Sequence, residues 1–167
     1  MRELYITFTA SRYFDESSYY LKRVVREAVK ATLDYEDFPY DAEVSVTFCD
    51  NEYIRGLNNE FRGIDKHTDV LSFPMYEDGE FDEVECADGA VLGDIVISIE
   101  RAKEQAKEIG NTFHHEIAFL TVHSVLHLLG YDHEPGGMEL VKMREKEEAV
   151  LTQLGLVRNG SYYTVEE

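Results

Sequence analysis

Three histidines near residue 130 have the spacing of a metal site. His123 and His127 stand four residues apart in an apolar stretch, and His133 follows after Gly130. Because four residues turn an α-helix by about 400°, the first two imidazoles lie on one face, one turn apart. The glycine would end the helix and reverse the chain, which can bring the third imidazole to the same ion. Three neutral imidazoles with an open fourth position are typical of a catalytic zinc site.

Buried histidines without a metal are the alternative interpretation of this pattern. Single core histidines are common, but three with a turn glycine between the second and third are much rarer by chance. An imidazole buried without partners costs a few kcal/mol, and an ion would satisfy one nitrogen of each ring. We therefore predict one Zn²⁺ ion bound by His123, His127 and His133.

The residue after the first histidine bears on the reaction. The histidine spacing equals that of metzincin peptidases, which place Glu directly after the first histidine as the general base. Ser124 occupies that position here and cannot act as that base. A metallopeptidase is therefore a disfavoured alternative.

The histidine segment resembles the signature of the YbeY family of bacterial endoribonucleases. The blocks that carry the resemblance stand in the family's order: His123 to His133 (HSVLHLLGYDH), Asn58-x3-Arg62-Gly63, Thr68 to Pro74 (TDVLSFP), Gly93-Asp94-Ile95, Met143-x3-Glu147 and Leu154-Gly155. Two positions depart from it, because Ser124 stands where the family usually has Gly and His67 where it usually has Pro. Neither departure removes a ligand.

The resemblance implies a zinc-dependent hydrolase that cuts single-stranded RNA. It further implies ribosomal RNA and small-subunit components as partners, in rRNA maturation and ribosome quality control, and Arg62 as the functional arginine. The chemistry agrees, because a guanidinium binds phosphate oxygens bidentately and stabilises the charge that builds on them. A zinc-bound water is the expected nucleophile. The base stays open between the metal hydroxide, a substrate hydroxyl and a carboxylate such as Asp132 or Glu134. A non-enzymatic ribosome-assembly factor whose metal braces the fold is a second alternative.

The elements that must position these residues alternate along the chain. Apolar periodicity predicts strands near residues 4–8, 44–48, 69–73 and 91–98, and helices over about residues 19–33, 51–59, 98–110, 112–130 and 137–154. This order predicts one α+β domain over residues 1–167, a small mixed four-stranded sheet packed with about five helices, with the zinc site on a buried helix. Residues 77–88 hold seven carboxylates and no cation, which predicts an acidic mobile loop, and residues 158–167 form a polar tail.

The overall charge limits the possible partners. Asp and Glu outnumber Lys and Arg by 34 to 16, which gives a net charge of −18. A protein that binds duplex DNA by general electrostatics is disfavoured, because each phosphate contact needs a cation. Lys22, Arg26 and Lys30 could lie along RNA, although such a stripe is more often a solvated helix face. With no membrane-length apolar stretch, and with Cys49 and Cys86 expected as free thiols, we expect a cytoplasmic protein that binds neither membranes nor DNA.

Overall fold

The predicted strands and helices are all present. The computed structural model describes residues 2–11, 19–131 and 138–156. Its elements within those ranges are β1 (Leu4–Ala10), α1 (Tyr19–Tyr35), β2 (Ala42–Cys49), α2 (Asn51–Arg62), β3 (Val70–Pro74), β4 (Ala90–Ser98), α3 (Ile99–Ile109), α4 (Phe113–Leu128) and α5 (Met138–Gln153). One further turn of 3₁₀-helix at Glu77–Gly79 was not predicted. The α+β class, the four strands and the five helices are confirmed.

The four strands form one mixed sheet in the order β1-β2-β4-β3. Strands β1, β2 and β4 run parallel, and β3 pairs antiparallel with β4 at the edge. Gly93 lies where the register between β2 and β4 shifts, with a φ of +143°. A Cβ atom there would lie 2.2 Å from the carbonyl oxygen of Phe73. The close approach of β3 to β4 therefore requires glycine at this position.

The two faces of the sheet bury different helices. The main core joins Val46, Phe48, Ile95 and Ile97 of the sheet to the apolar sides of α1 and α4. A smaller cluster on the other face joins Leu71, Val96 and Cys49 to Ile54 of α2. The alternation of side chains along β4 separates the two sets, since successive strand residues point to opposite faces. Helix α4 and helix α2 consequently lie on opposite sides of the sheet.

Helix α4 is the central element of the main core. It packs against α1, α3, α5 and the sheet. Its buried residues surround the helix and include Ile117, Leu120, Val122, Leu126 and Leu128. Burying each of these side chains contributes roughly 1.5–3 kcal/mol. The prediction from its uniformly apolar sequence, a helix buried on most sides, is confirmed.

The acidic segment is partly anchored. Its carboxylates are exposed wherever their burial is described, as expected, but Cys86 is buried in the main core. Phe81 packs on Phe38 and Tyr76, with ring centroids 5.1 and 4.7 Å apart. The sequence-based expectation of a mobile loop missed these aromatic contacts, of which the one between Phe81 and Phe38 links residues far apart in the chain. The mobility of the segment stays a prediction.

Among the helices of the described ranges, none is both long and apolar enough to span a bilayer.

Candidate metal centre

Helix α4 begins and ends with local signals that fix the histidine pair. At its start, the hydroxyl oxygen of Thr112 accepts a hydrogen bond from the backbone N–H of His115 at 3.1 Å, which is an N-cap. At its end, Gly130 adopts a φ of +105°. The N–H of Gly130 donates to the carbonyl of His127, and the N–H of Tyr131 donates to the carbonyl of Leu126, both at 3.0 Å. These two bonds form a Schellman motif, so the predicted glycine turn is present.

His123 and His127 lie side by side on one face of α4. Their Nε2 atoms are 3.1 Å apart, and their rings meet edge to face with centroids 4.6 Å apart. Both residues are half-buried, in a helix that is otherwise almost wholly buried. The i, i+4 spacing thus brings two imidazole nitrogens to one point at the protein surface, as the sequence predicts.

The two nitrogens fit a common metal ion. A zinc ion bonds imidazole nitrogen at about 2.0–2.1 Å, and two atoms 3.1 Å apart can both lie at that distance from one ion. His133, the third predicted ligand, lies outside the described residues. Within residues 2–11, 19–131 and 138–156, no group of three or more His, Cys, Asp or Glu side chains is arranged to hold a metal. The described part therefore supplies two of the three predicted ligands, and the ligand set stays a prediction.

The side of His123 away from His127 contacts helix α5. Its Nδ1 atom makes a hydrogen bond to carboxylate oxygen Oε2 of Glu147, and its ring lies 5.7 Å from the ring of Phe119, centroid to centroid. The Glu147 side chain is only 2% exposed. The direction of this hydrogen bond depends on the tautomer of the imidazole.

A second, partly buried carboxylate holds the turn after α4. Glu36, directly after α1, accepts a hydrogen bond from the hydroxyl of Tyr131 at 2.5 Å and one from Nζ of Lys146 at 2.8 Å. The hydrogen bond to Glu36 raises the pKa of Lys146, and burial, followed by the bond to Glu36, raises the pKa of Tyr131. Glu36, Tyr131 and Lys146 thus form a clamp. It joins the end of α1 and helix α5 to Tyr131, which lies two positions before His133.

The acidic segment also touches the end of α4. Gly79 has a φ of +71°, and a Cβ atom there would lie 2.2 Å from the carbonyl oxygen of Leu129. A side chain at position 79 would therefore collide with the backbone of the turn that follows the histidine pair.

Arg62 makes its described contacts within its own part of the chain. It is the last residue of α2, which Gly63 ends in the left-handed conformation. The side chain is exposed, and its guanidinium lies 3.5 Å from the amide oxygen of Asn58. Asn58 is itself buried and donates to the carbonyl of Lys66 at 2.9 Å. The described hydrogen bonds thus connect Arg62 to its own helix and to the loop before β3, and do not connect it to His123 or His127.

Comparisons with known proteins agree on one family. The profile of the family described as Endoribonuclease YbeY matches residues 7–155. The chain belongs to the YbeY family. The Endoribonuclease YbeY of Caldanaerobacter subterraneus subsp. tengcongensis is 55% identical over 146 residues, covering 83% of this chain and 90% of that protein. The Endoribonuclease YbeY of Clostridium botulinum strain Alaska E43 is 46% identical over 157 residues, covering 86% and 92%.

A solved structure supports the fold. The solution structure of TM1509 from Thermotoga maritima has a TM-score of 0.56 and 27% identity to this YbeY chain, covering 90% of this chain and 91% of that one. The family resemblance inferred from the sequence blocks is confirmed. Its members are named as endoribonucleases, enzymes that hydrolyse phosphodiester bonds within an RNA chain.

Glu147 belongs to one of the sequence blocks that carry the family resemblance, but the sequence alone assigns it no role. The signal was present: Met143, Glu147, Val150 and Leu151 form one buried stripe on α5, and a carboxylate in an apolar stripe requires a partner. Ser124, by contrast, is fully buried, and its hydroxyl has no hydrogen-bond partner among the described residues. That environment does not suit a general base.

Proposed function

We propose that this YbeY protein is a zinc-dependent endoribonuclease that hydrolyses single-stranded RNA, with ribosomal RNA as its substrate. The proposal assigns His123, His127 and His133 as the ligands of one ion. The observation that carries it is the pair of Nε2 atoms 3.1 Å apart on α4, in a chain that belongs to an endoribonuclease family.

The chain's own residues would divide the work between holding the ion and holding the phosphate. A zinc ion in such a site polarises phosphoryl oxygens and makes water more acidic. The histidines fix the position of the ion, and the exposed guanidinium of Arg62 binds the non-bridging oxygens on which negative charge develops.

The surroundings of Arg62 support this role. Arg55, on the same helix, makes two hydrogen bonds to the carboxylate of Asp65, at 2.8 and 3.1 Å. Arg62 has the neutral side chain of Asn58 beside it. Among the described residues no carboxylate pairs with Arg62, so its paired donors are available for a phosphate. The two arginines therefore form a matched pair for mutagenesis.

The charge of the chain supports a ribosomal substrate. A net charge of −18 repels free RNA at long range. A ribosomal small subunit that holds the RNA near the site raises its effective concentration and overcomes this repulsion. Ribosomal RNA as substrate, together with two unpaired, buried cysteines, favours the cytoplasm as the location.

Metal content and RNA cleavage test the proposal together. We expect the purified protein to bind one zinc ion and to cut single-stranded RNA, and His127→Ala to lose both properties. Arg62→Ala should keep its zinc and lose most cleavage, while Arg55→Ala, its control, should cleave normally. Arg62→Lys should recover part of the activity, because a point charge does not reproduce the bidentate fork.

Three outcomes would contradict the proposal. Zinc binding without RNA cleavage would favour an assembly factor, and cleavage of peptides but not RNA would favour a peptidase. Equal RNA cleavage by wild type and His127→Ala would show that the histidine site is not the source of the cleavage.

A further inference from the structure

The contact between α5 and His123 assigns a role to a carboxylate outside the ligand set. We propose that Glu147 is a positioning residue that keeps the proton of His123 on Nδ1 and thereby directs the free Nε2 atom to the metal. The inference rests on the proposed metal site. It concerns metal affinity and the state of the imidazole, both of which can be measured without RNA.

The burial of Glu147 shows that the contact is not incidental. The residue is 1% exposed and lies in a stripe of apolar side chains on α5. A carboxylate in such a place is strongly unfavourable unless it is paired. Its partner is Nδ1 of His123, and its second oxygen, Oε1, has no hydrogen-bond partner among the described residues.

Within the described ranges no lysine or arginine pairs with Glu147, whose ion pair there is with His123. Lys146 precedes Glu147 on α5, but its ammonium pairs with Glu36 at 2.8 Å. Glu147 faces α4 instead, towards the imidazole. The packing of α5 on α4 thus delivers this negative charge to the histidine pair.

The hydrogen bond with Glu147 determines which nitrogen of His123 is left to bind the metal. A neutral imidazole carries one proton, and the ring nitrogen without it is the one that binds metal. Because Glu147 accepts from Nδ1, the lone pair is on Nε2, the atom that lies 3.1 Å from Nε2 of His127. A carboxylate in this position also makes the imidazole a stronger donor to the metal and restrains rotation of the ring.

The test compares two neighbouring glutamates on one helix. Glu147→Gln removes the charge with little change in volume, and Glu148→Gln makes the same change at an exposed position. We expect Glu147→Gln to lower the affinity for Zn²⁺, measured against a competing chelator, by about 10- to 100-fold, and Glu148→Gln to match the wild type. Glu147→Asp keeps the charge with a shorter reach and should lie between them.

A spectroscopic measurement separates positioning from general stability. In the metal-free full chain, ¹⁵N NMR at a pH where the ring is neutral should show the proton of His123 on Nδ1 in the wild type and in Glu148→Gln. In Glu147→Gln the ring should populate both tautomers, because an amide can accept from Nδ1 or donate to it. A thermal melt in chelator would record any loss of fold.

Two results would overturn the inference. One is equal zinc affinity in Glu147→Gln and Glu148→Gln, and the other is a His123 ring that keeps its Nδ1 proton without Glu147. Either result, in a protein whose wild type binds zinc and cuts RNA, would leave the proposed function intact. A wild type that binds no zinc would instead refute the proposed site itself.

Discussion

The clamp formed by Glu36, Tyr131 and Lys146 offers a quantitative test of how the turn after α4 is held. Glu36 is the shared acceptor of two hydrogen bonds that come from different parts of the chain. Its side chain is 11% exposed and that of Lys146 is 25% exposed. Glu36→Ala removes both bonds and leaves the half-buried Tyr131 hydroxyl with only its contact to Lys146. We expect the variant to be clearly less stable than the wild type.

The magnitude follows from the two contacts. A hydrogen bond to a charged group is worth about 1.5–3 kcal/mol, and the bond from Tyr131 falls in this class. The ion pair with Lys146 is partly screened, so it adds about 0–1 kcal/mol. The free energy of unfolding should therefore fall by about 2–4 kcal/mol, which lowers the Tm by roughly 5–15 °C for a domain of this size.

Thermal unfolding followed by circular dichroism measures this loss. Glu27→Ala, on the helix that ends just before Glu36, is the matched control, because Glu27 pairs with Arg23 at 3.0 Å on an exposed surface. Breaking that pair should change stability by less than about 1 kcal/mol. Zinc affinity should also fall in Glu36→Ala, since the clamp holds the residue two positions before His133. Equal Tm values for Glu36→Ala and Glu27→Ala would refute this account of the turn.

Three further predictions concern other parts of the molecule. Gly79→Ala should lower the free energy of unfolding by about 2–5 kcal/mol, because it adds overpacking against Leu129 to backbone strain. Gly110 is the control, since its φ is +84° but an added Cβ atom would have nothing within 4 Å, and Gly110→Ala should lose only about 1–2 kcal/mol. Equal losses in the two variants would show that the contact with Leu129 does not affect stability. Burial raises the pKa of Cys49 to about 12, and Cys86 is also buried. A thiol reagent at pH 8 should therefore label the protein at the rate of unfolding. Fast labelling of the native protein would contradict the buried placement of the two thiols. RNA affinity of a catalytically inactive variant should fall only shallowly with salt compared with a protein that neutralises about six to ten phosphates; a steep loss from tight binding at low salt would reveal an extended basic surface.

The salt prediction draws on how the cations of α1 are used. Lys30 pairs with Asp34 at 2.9 Å, and the charges of Lys22 and Arg26 lie 5.8 and 5.9 Å from the centre of the Phe8 ring. The stripe that the sequence presents as basic therefore has an ion pair and two cation–π contacts of its own. These contacts favour a solvated helix face over an RNA surface, and the salt series tests that prediction.

Much of the fold follows from short-range patterns in the sequence. The apolar stripe of Leu21, Val24, Val25 and Ala28 predicts the buried side of α1, and the structure buries all four. Helices α3 and α4 begin at the capping residues Ser98 and Thr112. Helices α2 and α3 end at Gly63 and Gly110. Such signals act through backbone groups a few residues away, so they can be read without knowing the tertiary structure.

In the candidate site, too, local features follow from the sequence and contacts between helices do not. The sequence by itself determined that His123 and His127 share one face and that a glycine turn follows them, because the geometry of one helix and its end decides both. Only the tertiary structure decided that Glu147 meets Nδ1 of His123, that Glu36 joins Tyr131 to Lys146, and that α2, with Arg62 at its end, packs on the other face of the sheet. Those arrangements depend on which helices pack together, and packing is set by the complementarity of whole apolar faces, which no local pattern specifies.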